Sequence, residues 1–352
     1  MAGLAAEVID IFCHWLPAAF YRKALRVAAR PLHMLTRANG IPAMTQLDAR
    51  LALMEQFPGY RQVPCLSSPP IEFLAGPEEA PELARIANDS LASLVAEHGE
   101  HFPGFVASLP MNNPDAALTE AERAIADLGA SGVQVFSNVN GRPLDEPCFL
   151  PLFEMMANLD LPVWLHPARG MTFADYRAEE VSKFELWWAL GWPYETSVAM
   201  ARLVFAGVFD RSPRLKIIAH HVGGMIPMME GRLGPGLDLL GTRTPPEQAE
   251  AVKTNLSERP LDALRRFYAD TASFGSRPAI ECGISFFGDS NVLFGSDMPF
   301  DPERGPGYIR ETLRAIGEIQ LSRQAREDIL AGNARRILRL ERRGEQDSET
   351  LH

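Results

Sequence analysis

The stretch VIDIFCHWLP, residues 8–17, runs Val, Ile and Phe up to a histidine and is stopped by a proline. An apolar run of this length bounded by Pro reads as a buried strand. The histidine at its end has two readings. Either His14 is a hydrogen-bonded core residue, or the strand delivers it to a site above its C-terminal edge.

Working outward, runs of the same type recur through the chain. They are RQVPCLS (61–67), FPGFVASLP (102–110), GVQVFSN (132–138), LPVWLHP (161–167), LKIIAHH (215–221), RRFYADT (265–271) and NVLFGSD (291–297). Between most of them lie stretches of helical periodicity, among them ALTEAERAIADLGA, FLPLFEMMANLD, SVAMARLVFAGVFDRSP and LDALRRF. Strands alternating with helices predict an α/β fold with parallel strands. Eight such units predict a (β/α)8 TIM barrel. RQVPCLS is the weakest strand, because Pro64 contributes no ladder N–H. The expected organisation is a single barrel domain over residues 1–345 with a frayed tail at 346–352. Two segments exceed a plain barrel, 168–196 and 222–260, and both fall on the side where such enzymes build pockets.

The chain has 352 residues, 46% of them hydrophobic, enough for a sizeable core. Its formal net charge of −11 argues against nucleic acid or an anionic membrane as partner. Four cysteines, widely spaced and without CxxC, suggest a reducing compartment. The N-terminus has no signal-peptide pattern and no apolar run reaches 18 residues, so a soluble cytoplasmic protein is expected.

The polar residues then fall into place. His14 ends the first strand, His166 the fifth and His220–His221 the sixth, while Asp270 lies near the end of the seventh and Asp297 ends the eighth. His and Asp are poor packing material at buried strand ends, and in a barrel they converge on one rim. Imidazoles with a carboxylate suit a divalent ion, Zn²⁺ first, with Mn²⁺ or Fe²⁺ as alternatives. No Gly-rich nucleotide loop, P-loop or nucleophile elbow is present.

These motifs, from IDIFCHWLP through LPVWLHPARG and IIAHHVGGMIPMMEGR to LFGSDMP and AGNARRIL, resemble the amidohydrolase-related branch containing aminocarboxymuconate-semialdehyde, resorcylate and carboxyvanillate decarboxylases. The resemblance implies metal ligands at His14, His166 and Asp297, with Asp297 also holding a bound water. It implies a catalytic histidine at His221, which stands before Gly223–Gly224. By strand alternation His220 is expected on the opposite face, although the doubled histidine leaves both in play. The family opens its first strand with His-x-His or Glu-x-His, whereas this chain has Phe12 before His14. Water or His221 could fill that vacancy, or the site could have drifted from metal dependence. The resemblance also implies substrate-carboxylate binding by Arg50, and an Arg232 that reaches a neighbouring subunit's site in a homodimer. Guanidinium forks suit planar carboxylates. Trp187, Trp188 and Trp192 in the first insertion suit a flat or apolar ligand, with Trp192 the candidate substrate contact.

The implied function is metal-dependent, non-oxidative decarboxylation of an unsaturated or aromatic carboxylic acid. The main alternative is hydrolysis or hydration of a lactone, amide or activated carbon–carbon bond. A barrel retained for binding alone is the third reading.

Overall fold

The computed structural model describes residues 7–28 and 32–340, so the tail expected at 346–352 lies outside the described residues. All eight predicted strands form. They are β1 (Val8–Trp15), β2 (Tyr60–Leu66), β3 (Val106–Ser108), β4 (Gly132–Phe136), β5 (Val163–His166), β6 (Ile217–Ala219), β7 (Tyr268–Asp270) and β8 (Val292–Leu293). Strands β3 to β8 make one parallel ladder in chain order, and β1 and β2 pair parallel beside it. The ring closes from β8 to β1 through the Ile11 N–H to Phe294 O at 3.0 Å and the Asp297 N–H to Phe12 O at 2.9 Å. Between β2 and β3 the Gln62 N–H reaches His101 O at 2.9 Å. Pro64 lies inside β2, on the strand where the continuous ladder is interrupted.

One irregularity on β1 positions the site. Asp10 pairs with Gln62 and Cys13 with Pro64, so Ile11 and Phe12 stand opposite Val63 alone. This is a β-bulge, and it resets the side-chain frame. Ile9 and Ile11 fill the barrel interior, and Phe12 joins them there beside His14. Asp10 pins the bulge by accepting from the Phe12 and Ser296 N–H groups, both at 3.1 Å, and from the Ser296 and Tyr60 hydroxyls.

The interior carries Val63, Val106, Trp164, Ile218 and Leu293, and Ala334, Ile337 and Leu338 pack against it from the C-terminal helix Asn333–Leu338. Asn333 anchors that helix by donating to the carbonyls of Asp289 and Val292, both at 2.8 Å. Helices around the ring bury a second, larger apolar layer against the outward faces of the strands, including Val133, Val135, Leu165, Ile217 and Ala269. Each buried Val, Leu or Ile among them stabilises the fold by roughly 1.5–3 kcal/mol through removal of apolar area from water.

The stretch 168–196 is irregular up to a short helix at Leu186–Ala189 and then starts the helix Gly191–Phe205. Within 222–260 lie the helix Glu230–Asp238 and a short 3₁₀ helix at Pro246–Val252. Among the described residues no helix is long and apolar enough to cross a membrane.

Candidate active site

The C-terminal ends of β1, β5, β6, β7 and β8 bring His14, His166, His220, His221, Asp270 and Asp297 to one rim. His14 Nε2 lies 2.9 Å from Asp297 Oδ1. Donor atoms of His14, His166 and His220 all lie within 4.8 Å of one another, and so do those of His220, His221 and Asp297. His14 therefore lies within this cluster and not among apolar side chains alone.

Each ring is set by its neighbours. The His166 Nδ1–H donates to Pro167 O at 2.7 Å, which turns the Nε2 lone pair toward the cluster. Burial and the surrounding histidines hold its pKa well below the usual range, so this imidazole is neutral and able to ligate. The Cys65 thiol lies 3.3 Å from His14 Nδ1, and burial keeps that thiol far above its ordinary pKa, hence protonated. Burial works to raise the pKa of Asp297. The imidazoles of His14, His220 and His221 outweigh it and hold the carboxyl well below the ordinary range. A negative charge surrounded by imidazole donors fits a divalent cation.

The sixth strand departs from expectation. It ends at Ala219, not at His221. Ile217 and Ala219 face the outer layer and Ile218 the interior, so alternation carries His220 inward, opposite to the frame expected from the sequence. His221 then enters the same space because the backbone turns left-handed there, φ 55°, followed by Val222 at φ 58°. Both histidines thus belong to the site. The His220 Nδ1–H donates to Asp270 Oδ2, and its Nε2 stands 3.5 Å from Asp297 Oδ1. Asp270 Oδ1 also accepts from the Val222 N–H, which fixes the turn. Burial lowers the pKa of His220, but Asp270 and Asp297 on either side reverse this and push it up to about 9. His221 Nε2 is 3.6 Å from Asp297 Oδ2, and burial beside His220 lowers its pKa.

Gly223 and Gly224 are required by close approach as well as by φ of 75° and 65°. A Cβ at Gly223 would lie 2.6 Å from the Phe287 ring, and one at Gly224 2.5 Å from Pro193 O.

Phe12 occupies the floor. Its ring stacks on His220 with centroids 3.5 Å apart and lies 5.9 Å from both His14 and His166. It therefore does share the inner face with His14, as strand alternation requires.

Above the floor, a cavity of about 690 Å³ is lined by His14, His166, Asp297, Arg37, Arg304 and Tyr308, among others. A second, of about 660 Å³, adjoins it at Trp188, Trp192 and Phe274 and includes His221. Trp192 sits 5.4 Å from the His166 ring and 6.2 Å from that of His221, and its Nε1–H donates to Arg169 O at 3.0 Å. Phe274 stacks on Tyr308 at 4.4 Å.

The arginines are arranged differently from expectation. Arg50 is fully buried behind the site rather than on the cavity wall. Its Nε donates to Gln62 Oε1 at 2.6 Å, and its Nη1 donates to His14 O at 2.7 Å and Ala43 O at 2.9 Å. It braces the end of β1. Arg232 is exposed on the helix Glu230–Asp238, away from the cavity lining. The guanidiniums on the wall belong instead to Arg37, which lies over the Phe300 ring at 5.4 Å, and to Arg304. Arg37 lies on the helix His33–Asn39 and Arg304 in the loop that continues from the β8 end, and the packing of these segments over the rim brings them in.

The amidohydrolase family model matches residues 9–340. The chain belongs to the amidohydrolase family. The chain is 32% identical over 279 residues to the 2-amino-3-carboxymuconate-6-semialdehyde decarboxylase of Dictyostelium discoideum, covering 78% of this chain and 72% of that one. It is 31% identical over 305 residues to the gamma-resorcylate decarboxylase of a Polaromonas strain, covering 84% and 88%. Among solved structures, a 2,6-dihydroxybenzoate decarboxylase from Rhizobium superposes with a TM-score of 0.78 at 25% identity, covering 95% of this chain and 99% of that one. A dihydroxybenzoic acid decarboxylase from Polaromonas, with bound manganese and 2-nitroresorcinol, gives 0.76 at 25% identity over 95% and 97%.

Proposed function

We propose that this protein is a metal-dependent, non-oxidative carboxy-lyase acting on an unsaturated or aromatic carboxylic acid. The observation that carries the proposal is the contact of His14 with Asp297 and His166, and of His221 with both Asp297 and His166, beside a cavity with guanidinium groups and flat aromatic walls. The decarboxylases among its relatives support this chemistry over hydrolysis of a lactone or amide.

In this reading His14, His166 and Asp297 hold a divalent ion. Zn²⁺ and Mn²⁺ both suit nitrogen donors with one carboxylate, and the manganese of the Polaromonas structure weighs toward Mn²⁺. The ion supplies Lewis acidity toward substrate oxygens. Arg37 and Arg304 bind the substrate's carboxylate or phenolate oxygens, while Trp192 and Phe274 pack on its planar face. The bond from ring or chain carbon to the carboxylate breaks, its electron pair passing into the conjugated system. His221, facing the cavity, gives its proton to that carbon, and CO₂ departs. Arg50 acts through His14, whose carbonyl it holds. A cytoplasmic setting fits the cysteine pattern.

A homodimer completes the proposal. Exposed apolar side chains concentrate in the first insertion, with Phe184 at 88%, Tyr176 at 74% and Leu190 at 62% exposure, and in the second insertion Met228 is 70% exposed and Arg232 is exposed as well. Apolar patches of this kind mark association surfaces. The test of function is to load the chain with Mn²⁺ or Zn²⁺ and offer hydroxybenzoic and muconic acids in parallel with lactones. Release of CO₂ with no ring-opening is expected. Ring-opening without CO₂ would replace this reading by the hydrolytic one.

A further inference from the structure

The family resemblance leaves one coordination position unfilled, because Phe12 stands where a first-strand histidine or glutamate is expected. Resting on the proposed metal-dependent reading, we infer that His220 is the ion's remaining protein ligand, so that the lost donor of β1 is replaced by a donor at the end of β6.

Three independent features support the exchange. His220 is the one side chain common to both donor groups, the one with His14 and His166 and the one with His221 and Asp297. Its Nδ1 is already committed to Asp270, which leaves Nε2 as the atom that would ligate, its proton released to an incoming cation. That Nε2 is buried, makes no regular hydrogen bond, and points toward Asp297 Oδ1 at 3.5 Å. Four donors about 2.1 Å from a tetrahedral centre lie about 3.4 Å from each other. The separations of 3.5 Å from His220 and 2.9 Å from His14 to Asp297 Oδ1 bracket that spacing.

The third feature is Phe12 itself. Its ring lies flat on the His220 imidazole at 3.5 Å, with an angle of 11° between the planes. A flat apolar ring there supports the face of His220 without competing for the ion. Asp270 does the complementary work at the ring edge, fixing the tautomer and orientation as a carboxylate commonly does behind a ligating histidine. Phe12, His220 and Asp270 thus form a connected unit, while His221 stays outside it on the cavity wall. The inference divides the doubled histidine into two roles, His220 to hold the ion and His221 to move the proton.

The experiment is metal binding by the full chain without substrate, using Zn²⁺ against a chromophoric chelator and Co²⁺ for its visible ligand-field spectrum. His220→Ala is expected to weaken binding by roughly 10²-fold and to change the Co²⁺ spectrum. The double variant Phe12→His with His220→Ala is expected to recover most of the affinity by returning the donor to β1. His221→Asn is expected to keep the wild-type affinity and spectrum. X-ray absorption of the wild-type Zn²⁺ protein, which needs no variant to fold, should count three imidazoles. Two imidazoles in that measurement, or wild-type affinity and spectrum in folded His220→Ala, would overturn the assignment. Because no turnover is involved, three imidazoles in a protein that releases no CO₂ would refute the decarboxylase reading and leave the ligand set standing.

Discussion

The ends of β1 and β6 each deliver histidine to the same few ångströms, by opposite routes. On β1 the strand stays extended, and a bulge at Ile11–Phe12 resets its frame so that His14 points inward. Arg50, held rigid by Gln62 and two carbonyls, clamps the strand from behind. On β6 the strand stops at Ala219, His220 arrives by simple alternation, and His221 arrives only through a left-handed turn. A left-handed backbone at a residue other than glycine is uncommon and costs free energy, so it persists where surrounding contacts enforce it. Here Asp270 supplies such a contact through the Val222 N–H. The difference separates two jobs. The β1 end, with β5 and β8, is a buried cradle at the floor of the cavity, suited to holding an ion. The turn after β6 borders open cavity and suits a group that must meet substrate.

The hardest blow to that division is struck at the cradle. His166→Ala removes a donor whose geometry is fixed by Pro167 O. It is expected to cut metal affinity by at least roughly 10²-fold and to take turnover with it, while the barrel stays folded. Full metal content in the purified variant would show that the β5 end is not part of an ion site.

His221→Asn probes the other side. Turnover is expected to fall roughly 10²–10⁴-fold, the range for a positioned proton-transfer group, with metal content retained. Metal analysis alongside kcat distinguishes the jobs. Joint loss would collapse the two ends into one function.

How far the sequence foretold this contrast depends on what each feature requires. The eight strands were legible because apolar runs and turn residues are local signals, and even the weak point at Pro64 falls where the ladder is interrupted. The convergence of His14, His166 and Asp297 was legible because a strand end in a barrel has only one rim to reach. The inward turn of His220 was not, since the alternation frame of β6 was anchored on His221, which lies beyond the strand. The substrate-side arginines were misplaced for a different reason. Whether Arg50 or Arg37 faces the cavity depends on how the short helices of 33–54 pack over β1, and no local pattern encodes that.

The wall gives a smaller effect. Arg37→Ala or Arg304→Ala is expected to raise KM about tenfold or more for a carboxylate substrate, because a hydrogen bond to a charged group is worth about 1.5–3 kcal/mol. Arg50→Met should differ in kind, lowering metal affinity and thermal stability through His14. A KM effect from Arg50 with none from Arg37 or Arg304 would return the carboxylate-binding role to the arginine expected from the sequence.

The smallest expected effect on activity, none, comes from a second buried carboxyl that lacks what Asp297 has. Three imidazoles surround Asp297 and hold its pKa down. Glu72, on the short helix Ile71–Leu74, is only 4% exposed, and its Oε1 has no hydrogen-bond partner. Burial pushes its pKa up from 4.5 to about 8. Between those two values the folded chain keeps a proton that the unfolded chain has released. Stability due to this group is therefore present at low pH and is lost as pH rises through the window, by on the order of a few kcal/mol. Glu72→Gln keeps the shape and removes the titration. Denaturant unfolding at pH 5 and pH 8 should show the variant close to wild type at the lower pH and more stable at the higher one, with kcat unchanged at both. An equal wild-type-to-variant difference at the two pH values would mean that Glu72 keeps its ordinary pKa in the fold, and burial without a partner would then not be what sets these two carboxyls apart.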